Sequence, residues 1–133
     1  DADAEGWAPA HGLSAFTVRD GMLITEVTAA DPYMTRGGLA VAGHAADVLV
    51  ITMSSASPGG TSLYFGTERG GFDPARVIGV DLPADGRMHT VRVPVGKHAE
   101  WAGHTITALR IDPGSGEQNG VVRIDSVRLD RGE

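Results

Sequence analysis

Apolar side chains recur at every second position along this chain, in short runs separated by glycine, proline and asparagine. A period of two is typical of half-buried β-strands, whereas an amphipathic helix repeats every 3.6 residues. Residues 15–29, AFTVRDGMLITEVTA, hold two such runs joined by Asp20-Gly21, a pair that suits a two-residue hairpin turn with positive φ at both positions. The further predicted strands are 39–42, 47–55, 61–68, 76–83, 88–95, 105–112 and 121–130. About nine short strands at regular spacing predict an all-β fold, a two-sheet antiparallel sandwich.

Some of these strands also carry information about position. Residues 47–55, DVLVITMSS, are apolar on both faces, which favours the interior of a sheet. Pro94 has no amide donor, so the strand that contains it lies at an edge or ends there. Residues 40–46 and 97–102 are long enough for a helical turn but too short for a stable helix.

The last predicted strand, VVRIDSVRLD at 121–130, contains an acidic residue in an apolar run. Its apolar residues fall into two pairs of opposite parity, Val122 with Ile124 and Val127 with Leu129. One extra residue at 125–126, a β-bulge, would turn all four toward the core. A carboxylate of Asp125 buried there needs a partner, either backbone amides of the bulge and its neighbouring loops or a Ca²⁺ ion.

Composition narrows the function classes. The 133 residues are the size of one domain and contain no cysteine, so disulfides and thiolate metal sites are excluded. The net charge is −6, and the arginines are scattered along the chain without a basic cluster, which argues against a nucleic acid partner. No apolar run approaches the roughly 18 residues of a membrane span, so a membrane partner is not expected.

Catalytic motifs are absent from the sequence. The five histidines lack close metal-ligand spacing, and there is no HExxH. Gly114-Ser115-Gly116 lacks the frame of a nucleophile elbow, and the loop RGGFDPAR has no phosphate-binding lysine. These observations predict a protein that is not an enzyme.

Several segments, taken in order, resemble one family. They are EGW at 5–7, DGML at 20–23 with TAADPYM at 28–34, LYFGTE at 63–68, DGRMHTVRVPV at 85–95, WAGHTITALRIDP at 101–113 and the closing VVRIDSVRL. This series resembles the galactose-binding-like jelly-roll modules that accompany bacterial polysaccharide-degrading enzymes. The resemblance implies a secreted, non-catalytic carbohydrate-binding module that targets an attached or neighbouring enzyme to a polysaccharide. The alternative is a structural β-sandwich spacer that packs on a catalytic domain and binds no sugar.

The same resemblance implies a structural calcium ion. In relatives that hold one, an acidic residue of the opening segment and the aspartate of the last strand bind the ion. Those positions correspond to Asp125 with Asp1, Asp3 or Glu5 in this chain.

Sugar-binding sites use aromatic faces that stack on C–H groups, together with polar side chains that bond hydroxyls. If Leu63 and Phe65 face the core, Tyr64 lies on the opposite face of its strand and is a candidate to stack on a sugar, or it is half-buried by a neighbouring strand. Tyr33, after Asp31-Pro32, either projects from a loop rim or packs as part of the scaffold.

Three further residues are candidate ligand contacts. Trp101, in the loop HAEWAGH, either caps the core or forms a second platform. Glu68 and Arg69 follow the strand of Tyr64 and are placed either to bond sugar hydroxyls or to form an exposed ion pair.

Overall fold

The computed structural model describes residues 6–57, 60–114 and 120–131. The described residues form β1 (Trp7–His11), β2 (Thr17–Arg19), β3 (Met22–Glu26), β4 (Tyr33–Arg36), β5 (Val41–Ala42), β6 (Val48–Ser55), β7 (Thr61–Thr67), β8 (Val77–Val80), β9 (His89–Val93), β10 (Thr105–Asp112) and β11 (Val121–Asp130). Two single 3₁₀ turns, Gly43–Ala45 and Val95–Lys97, are the helical elements of this part of the chain. The predicted all-β class is confirmed.

The strands are arranged in two antiparallel sheets. One sheet has the order β1-β4-β10-β7-β8, with β5 also paired to β10, and the other has the order β2-β3-β11-β6-β9. Alternate side chains of both sheets, together with Trp101 from the loop before β10, form one buried cluster, in which Phe65, Met34, Leu49 and Ile51 are among the other large members. This is the two-sheet sandwich that the period-two pattern predicts.

The hairpin between β2 and β3 confirms the turn predicted at Asp20-Gly21. Asp20 has φ 54° and Gly21 has φ 76°, so both central residues occupy the left-handed region that a two-residue hairpin requires. The turn sets the register in which the half-buried Val18 lies opposite Leu23, which is part of the core.

The predicted bulge in β11 is also confirmed. Ile124 lies opposite Met53 and Ser126 lies opposite Thr52, so Asp125 is the extra residue between two consecutive partners on β6. The parity therefore resets, and apolar residues on both sides of the bulge contact the core: Val122, Ile124, Val127 and Leu129.

The environment of Asp125 differs from the prediction. Its side chain is exposed, and it forms no hydrogen bond or ion pair with any other residue that the structure describes. The bulge turns the carboxylate to solvent, where water hydrates it, so no protein partner or ion is needed to offset burial.

The strand positions follow the backbone chemistry. β6 lies between β11 and β9, as its two apolar faces predict, and β9 is an edge strand that ends at Val93, directly before Pro94. β1 and β4 are not predicted by the sequence pattern, because four of the five residues of β1 are exposed and β4 buries Met34 alone. Within the described ranges, no helix is long and apolar enough to cross a lipid bilayer.

Candidate functional site

Strand alternation places a set of polar and aromatic side chains on the outer face of the six-stranded sheet. On β7, Leu63 and Phe65 enter the core, so Tyr64 between them lies on the outer face. On β10, Leu109 and Ile111 enter the core, which leaves Arg110 and Asp112 outside.

Strand pairing then brings these residues together. Arg110 lies opposite Thr35 of β4 on one side and Tyr64 of β7 on the other. Tyr33 begins β4 and lies opposite His11 of β1. We call this surface the aromatic face; it consists of His11, Tyr33, Thr35, Ser62, Tyr64, Arg110 and Asp112.

Arg110 is at the centre of the aromatic face. Its guanidinium carbon lies 3.8 Å from the centre of the Tyr33 ring and 4.5 Å from the centre of the Tyr64 ring. Both distances are within the range of attractive cation–π contacts. His11 stacks on Tyr33 with ring centres 5.6 Å apart and an angle of 14° between the planes, and its Nδ1 donates to the carbonyl of Asp31 over 2.9 Å. Four side chains from four neighbouring strands therefore form one contact series.

Asp112 fixes the position of that guanidinium. Arg110 Nε donates to Asp112 Oδ1 and Nη2 donates to Oδ2, each over 2.8 Å. The two side chains are 19% and 14% exposed, so the pair is shielded from water on most sides. The hydrogen bond with Asp112 raises the pKa of Arg110 above its ordinary value. Arg110 has five N–H donors, of which Asp112 takes two, and the other three have no partner among the described residues.

Next to Tyr64, the surface on the β8 side is open. Tyr64 lies opposite Val77 and Ser62 lies opposite Gly79, and a Cβ added at Gly79 would contact nothing within 4 Å. Because β10 and β8 flank β7 on opposite sides, the ring face of Tyr64 directed away from Arg110 lies on this open side. The open space lies over Gly79, one pair of outward residues along the strands from Tyr64 and Val77.

The turn after β7 closes the aromatic face at its other end. A Cβ at Gly66 would lie 3.3 Å from Thr107 Oγ1 and 3.5 Å from the backbone of Gly70 and Gly71, so this turn covers the outer side of Gly66. The guanidinium of Arg76 holds it by donating from Nε and Nη2 to the carbonyl of Gly71, over 3.0 and 2.8 Å.

Glu68 also belongs to this closing structure. Its Oε2 accepts from His104 Nδ1 over 2.8 Å and its Oε1 accepts from the Thr105 amide over 2.7 Å. These bonds, that of His104 first, lower the pKa of Glu68. Glu68 therefore connects the end of β7 to the start of β10 and has no oxygen directed at Tyr64.

Arg69 is not brought into the aromatic face either. It lies in the exposed turn after β7, five residues beyond Tyr64, which corresponds to about 16 Å of extended strand. Of the five predicted ligand contacts, Tyr33 and Tyr64 are brought together by the fold, while Glu68 and Arg69 lie beyond one end.

The prediction of Trp101 as a binding platform is wrong, and the core alternative is right. Its side chain is 0% exposed, and its indole N–H donates to the carbonyl of Ala46 over 2.8 Å. Its ring meets Phe65 edge to face at 4.9 Å between centres. No face of the ring is available to a ligand.

The predicted calcium ligands are not assembled by the described residues. Asp3 and Glu5 lie outside the described ranges, and Asp125 is exposed. No group of three histidine or acidic side chains in the described part of the chain is placed to hold a metal ion. The described residues alone do not fit a calcium site, and the proposed pairing of Asp125 with Asp3 or Glu5 stays a prediction.

Sequence reasoning missed Arg110, Asp112 and His11. The run LRID at 109–112 alternates apolar and charged residues, so the outward position of Arg110 and Asp112 was readable from it. Nothing in the sequence shows that β4 and β7 flank β10, and that pairing is what places Arg110 between two tyrosines.

No family model and no curated protein matches the chain. Solved structures of carbohydrate-binding modules, however, share its fold over nearly the whole length. One from family 4 covers 95% of this chain and 94% of its own, with a TM-score of 0.66 and 16% identity. A family 28 module described as specific for non-crystalline cellulose covers 98% and 90%, with a TM-score of 0.67 and 16% identity. The N-terminal cellulose-binding domain of β-1,4-glucanase C from Cellulomonas fimi covers 100% and 93%, with a TM-score of 0.58 and 16% identity. The chain therefore has the jelly-roll β-sandwich fold found in these modules.

Proposed function

We propose that this protein is a non-catalytic carbohydrate-binding module that holds a polysaccharide on its aromatic face. The observation that carries the proposal is the series Tyr33–Arg110–Tyr64 on an open sheet surface. Solved structures with this fold support it, since they include modules described as binding cellulose and, in another case, xylan.

The chemistry of the aromatic face suits a chain of sugars. The open side of Tyr64, next to Gly79, offers an apolar surface to the C–H groups of a sugar ring. The three N–H groups that Arg110 does not share with Asp112 point to a ligand with several hydroxyl acceptors. Because Asp112 already orients the guanidinium, little side-chain entropy is lost on binding.

The charges around Arg110 favour an uncharged sugar. Asp112 neutralises the guanidinium, and Asp31 is close enough to contribute to the raised pKa of Arg110. A carboxylate on the ligand would meet these two acids, whereas hydroxyl groups meet no repulsion.

Affinity electrophoresis and calorimetry with cellulose, xylan and mixed-linkage glucan fragments test the proposal. Tyr64→Ala removes the stacking surface and is expected to weaken binding by about tenfold or more, as a loss of 1–3 kcal/mol on stacking implies. Tyr64→Phe keeps the ring and serves as the matched variant, and Thr17→Ala, exposed on the other sheet, serves as the distant control.

The spacer alternative gives a different pattern. A structural spacer binds none of these glycans, and Tyr64→Ala then changes no migration or heat. A flat result over the whole panel would exclude the carbohydrate-binding proposal.

Two features of the cellular setting belong to the same proposal. We infer that the module is secreted and is attached to, or acts beside, a catalytic domain, as its likeness to a domain of a glucanase suggests. Identification of the neighbouring domain in the full-length polypeptide tests both points.

A further inference from the structure

The second sheet also has a distinctive outer surface. Four of the ten arginines lie on the outer face of the five-stranded sheet: Arg19 on β2, Arg92 on β9, and Arg123 and Arg128 on β11. Their strand neighbours Val93, Val122 and Leu129 contact the core, and Val18, next to Arg19, lies opposite the core residue Leu23. We call this surface the arginine face. The residues are far apart in the sequence and are brought together by strand pairing.

Arg92 and Arg128 flank one residue of β6. Val50 lies opposite both of them, so the two arginine positions are separated by two strand spacings, about 10 Å. Val50 is only 1% exposed although it is outside the core cluster. Both arginines are exposed, so their guanidinium groups are at the surface on either side of Val50.

A row of hydroxyl groups runs beside these arginines. Thr52 lies opposite Thr90 on β9 and Ser126 on β11. The Oγ1 atoms of Thr52 and Thr90 are 2.9 Å apart and form a hydrogen bond. This row adds hydrogen-bond donors and acceptors to the same surface. It is displaced by two residues along each strand from the row of Arg92, Val50 and Arg128.

Arg123 and Ser54 form a third, unsatisfied pair on this face. They lie opposite each other on β11 and β6. Ser54 is 1% exposed and its Oγ has no hydrogen-bond partner in the described structure. Arg123 is half-buried and forms no hydrogen bond or ion pair with any described residue. The guanidinium of Arg123 therefore has N–H donors available to an external acceptor, whereas the hydroxyl of Ser54 is buried beneath the surface.

The acidic residues on the arginine face are fewer than its arginines, so the face keeps a net positive charge. Asp130 accepts from Arg128 Nε over 2.9 Å, Glu26 lies at the end of β3, and Asp125 is at the bulge. Four guanidinium groups thus face three carboxylates, while the whole chain has a net charge of −6. No aromatic side chain of the described residues lies on the arginine face, so it offers nothing for a neutral sugar to stack on.

We propose that the arginine face is a second glycan site, for polysaccharides whose sugars carry carboxylates. Guanidinium groups bind carboxylates through paired N–H donors, and the threonine and serine hydroxyls bond the sugar hydroxyls that surround each carboxylate. The spacing of Arg92 and Arg128 lets one chain that crosses the strands contact both. This site is separate from the aromatic face, which lies on the opposite side of the sandwich.

Calorimetry with an oligogalacturonate and with its fully methyl-esterified form tests the proposal. The acid form is expected to bind and to weaken as salt rises, because the contacts are exposed charges, and the ester is expected not to bind at this face. The variant Arg92→Gln/Arg123→Gln/Arg128→Gln is expected to lose about tenfold or more in affinity for the acid form. The double variant Arg69→Gln/Arg87→Gln removes two arginines elsewhere and is the matched control.

Each failure has a distinct meaning. Equal binding by the triple variant, equal binding of the ester, or no binding of the acid form by the unaltered protein overturns the second site. Tyr64→Ala leaves oligogalacturonate binding unchanged and weakens neutral glycans, so the two faces fail or succeed independently. If the triple variant unfolds, the exposed Arg92→Gln alone is used, and a reduction of about threefold is still expected.

Discussion

Removal of both partners of the Arg110–Asp112 pair is expected to destabilise the protein by less than the sum of the two single removals. Arg110→Met leaves the carboxylate of Asp112, 14% exposed, without its two hydrogen bonds. An unpaired group of this kind costs about 1–3 kcal/mol. Loss of the two cation–π contacts adds about 0.5–1 kcal/mol each. The expected total for Arg110→Met is therefore about 2–5 kcal/mol.

Asp112→Ala is expected to cost less. The guanidinium of Arg110 stays between Tyr33 and Tyr64 and retains access to water, so the loss is that of two charged hydrogen bonds, about 1–2 kcal/mol. In the double variant neither charge is left without its partner. The two changes are thus expected to be non-additive by about 1–2 kcal/mol.

Urea unfolding followed by tryptophan fluorescence measures all three variants, since Trp101 is fully buried and reports on the core. For a chain of this length, each kcal/mol corresponds to about 3–5 °C in melting temperature. If the unfolding free-energy losses of the two single variants sum to that of the double variant within about 0.5 kcal/mol, the coupling is refuted. The role of Asp112 in positioning Arg110 is then refuted as well. Arg110→Lys, which keeps the charge but not the paired donors, separates geometry from charge.

Three further expectations follow from other parts of the structure. The lowered pKa of Glu68 means that its bonds stabilise the fold above its ordinary pKa of 4.5 and that this contribution is lost as the pH falls through the lower folded value. The melting temperatures of the unaltered protein and Glu68→Gln should therefore differ near neutral pH and converge once the pH is below that lower value. Gly43→Ala places a Cβ in steric overlap with the carbonyl oxygen of Trp101, so we expect the melting temperature to fall or the folded protein to be lost, whereas Gly79→Ala, in open space, should have little effect. If Asp125 joins the opening segment in a calcium site, EDTA should lower the melting temperature and Asp125→Asn should abolish that effect; no change with either would exclude the ion.

Local chemistry made several features predictable from the sequence. The bulge at Asp125 follows from a parity change in one strand, the turn at Asp20 from backbone preference, and the end of β9 from the missing amide of Pro94. Each depends on a few consecutive residues, which the sequence displays directly.

The functional surfaces depend on strand order, which one sequence does not display. Tyr64 was predictable as an outward side chain, but its contact with Arg110 needs β10 beside β7. The arginines look scattered along the chain, yet pairing of β9 and β11 with β6 places Arg92 and Arg128 on either side of Val50. β1 escaped prediction because its exposed side chains carry no alternation and its backbone pairing alone makes it a strand.

The single spare residue of the closing strand has effects on both sides of its sheet. If Asp125 were instead paired in a regular register, every later residue of the strand would change face, which would expel Leu129 to solvent and turn the guanidinium of Arg128 toward the hydrocarbon interior. The continuous apolar core and the charged outer surface of this sheet therefore both depend on the bulge in β11. A homologous chain shortened by that one position would join Ile124 directly to Ser126, whose partners on β6 are already consecutive, and could keep both without any further change.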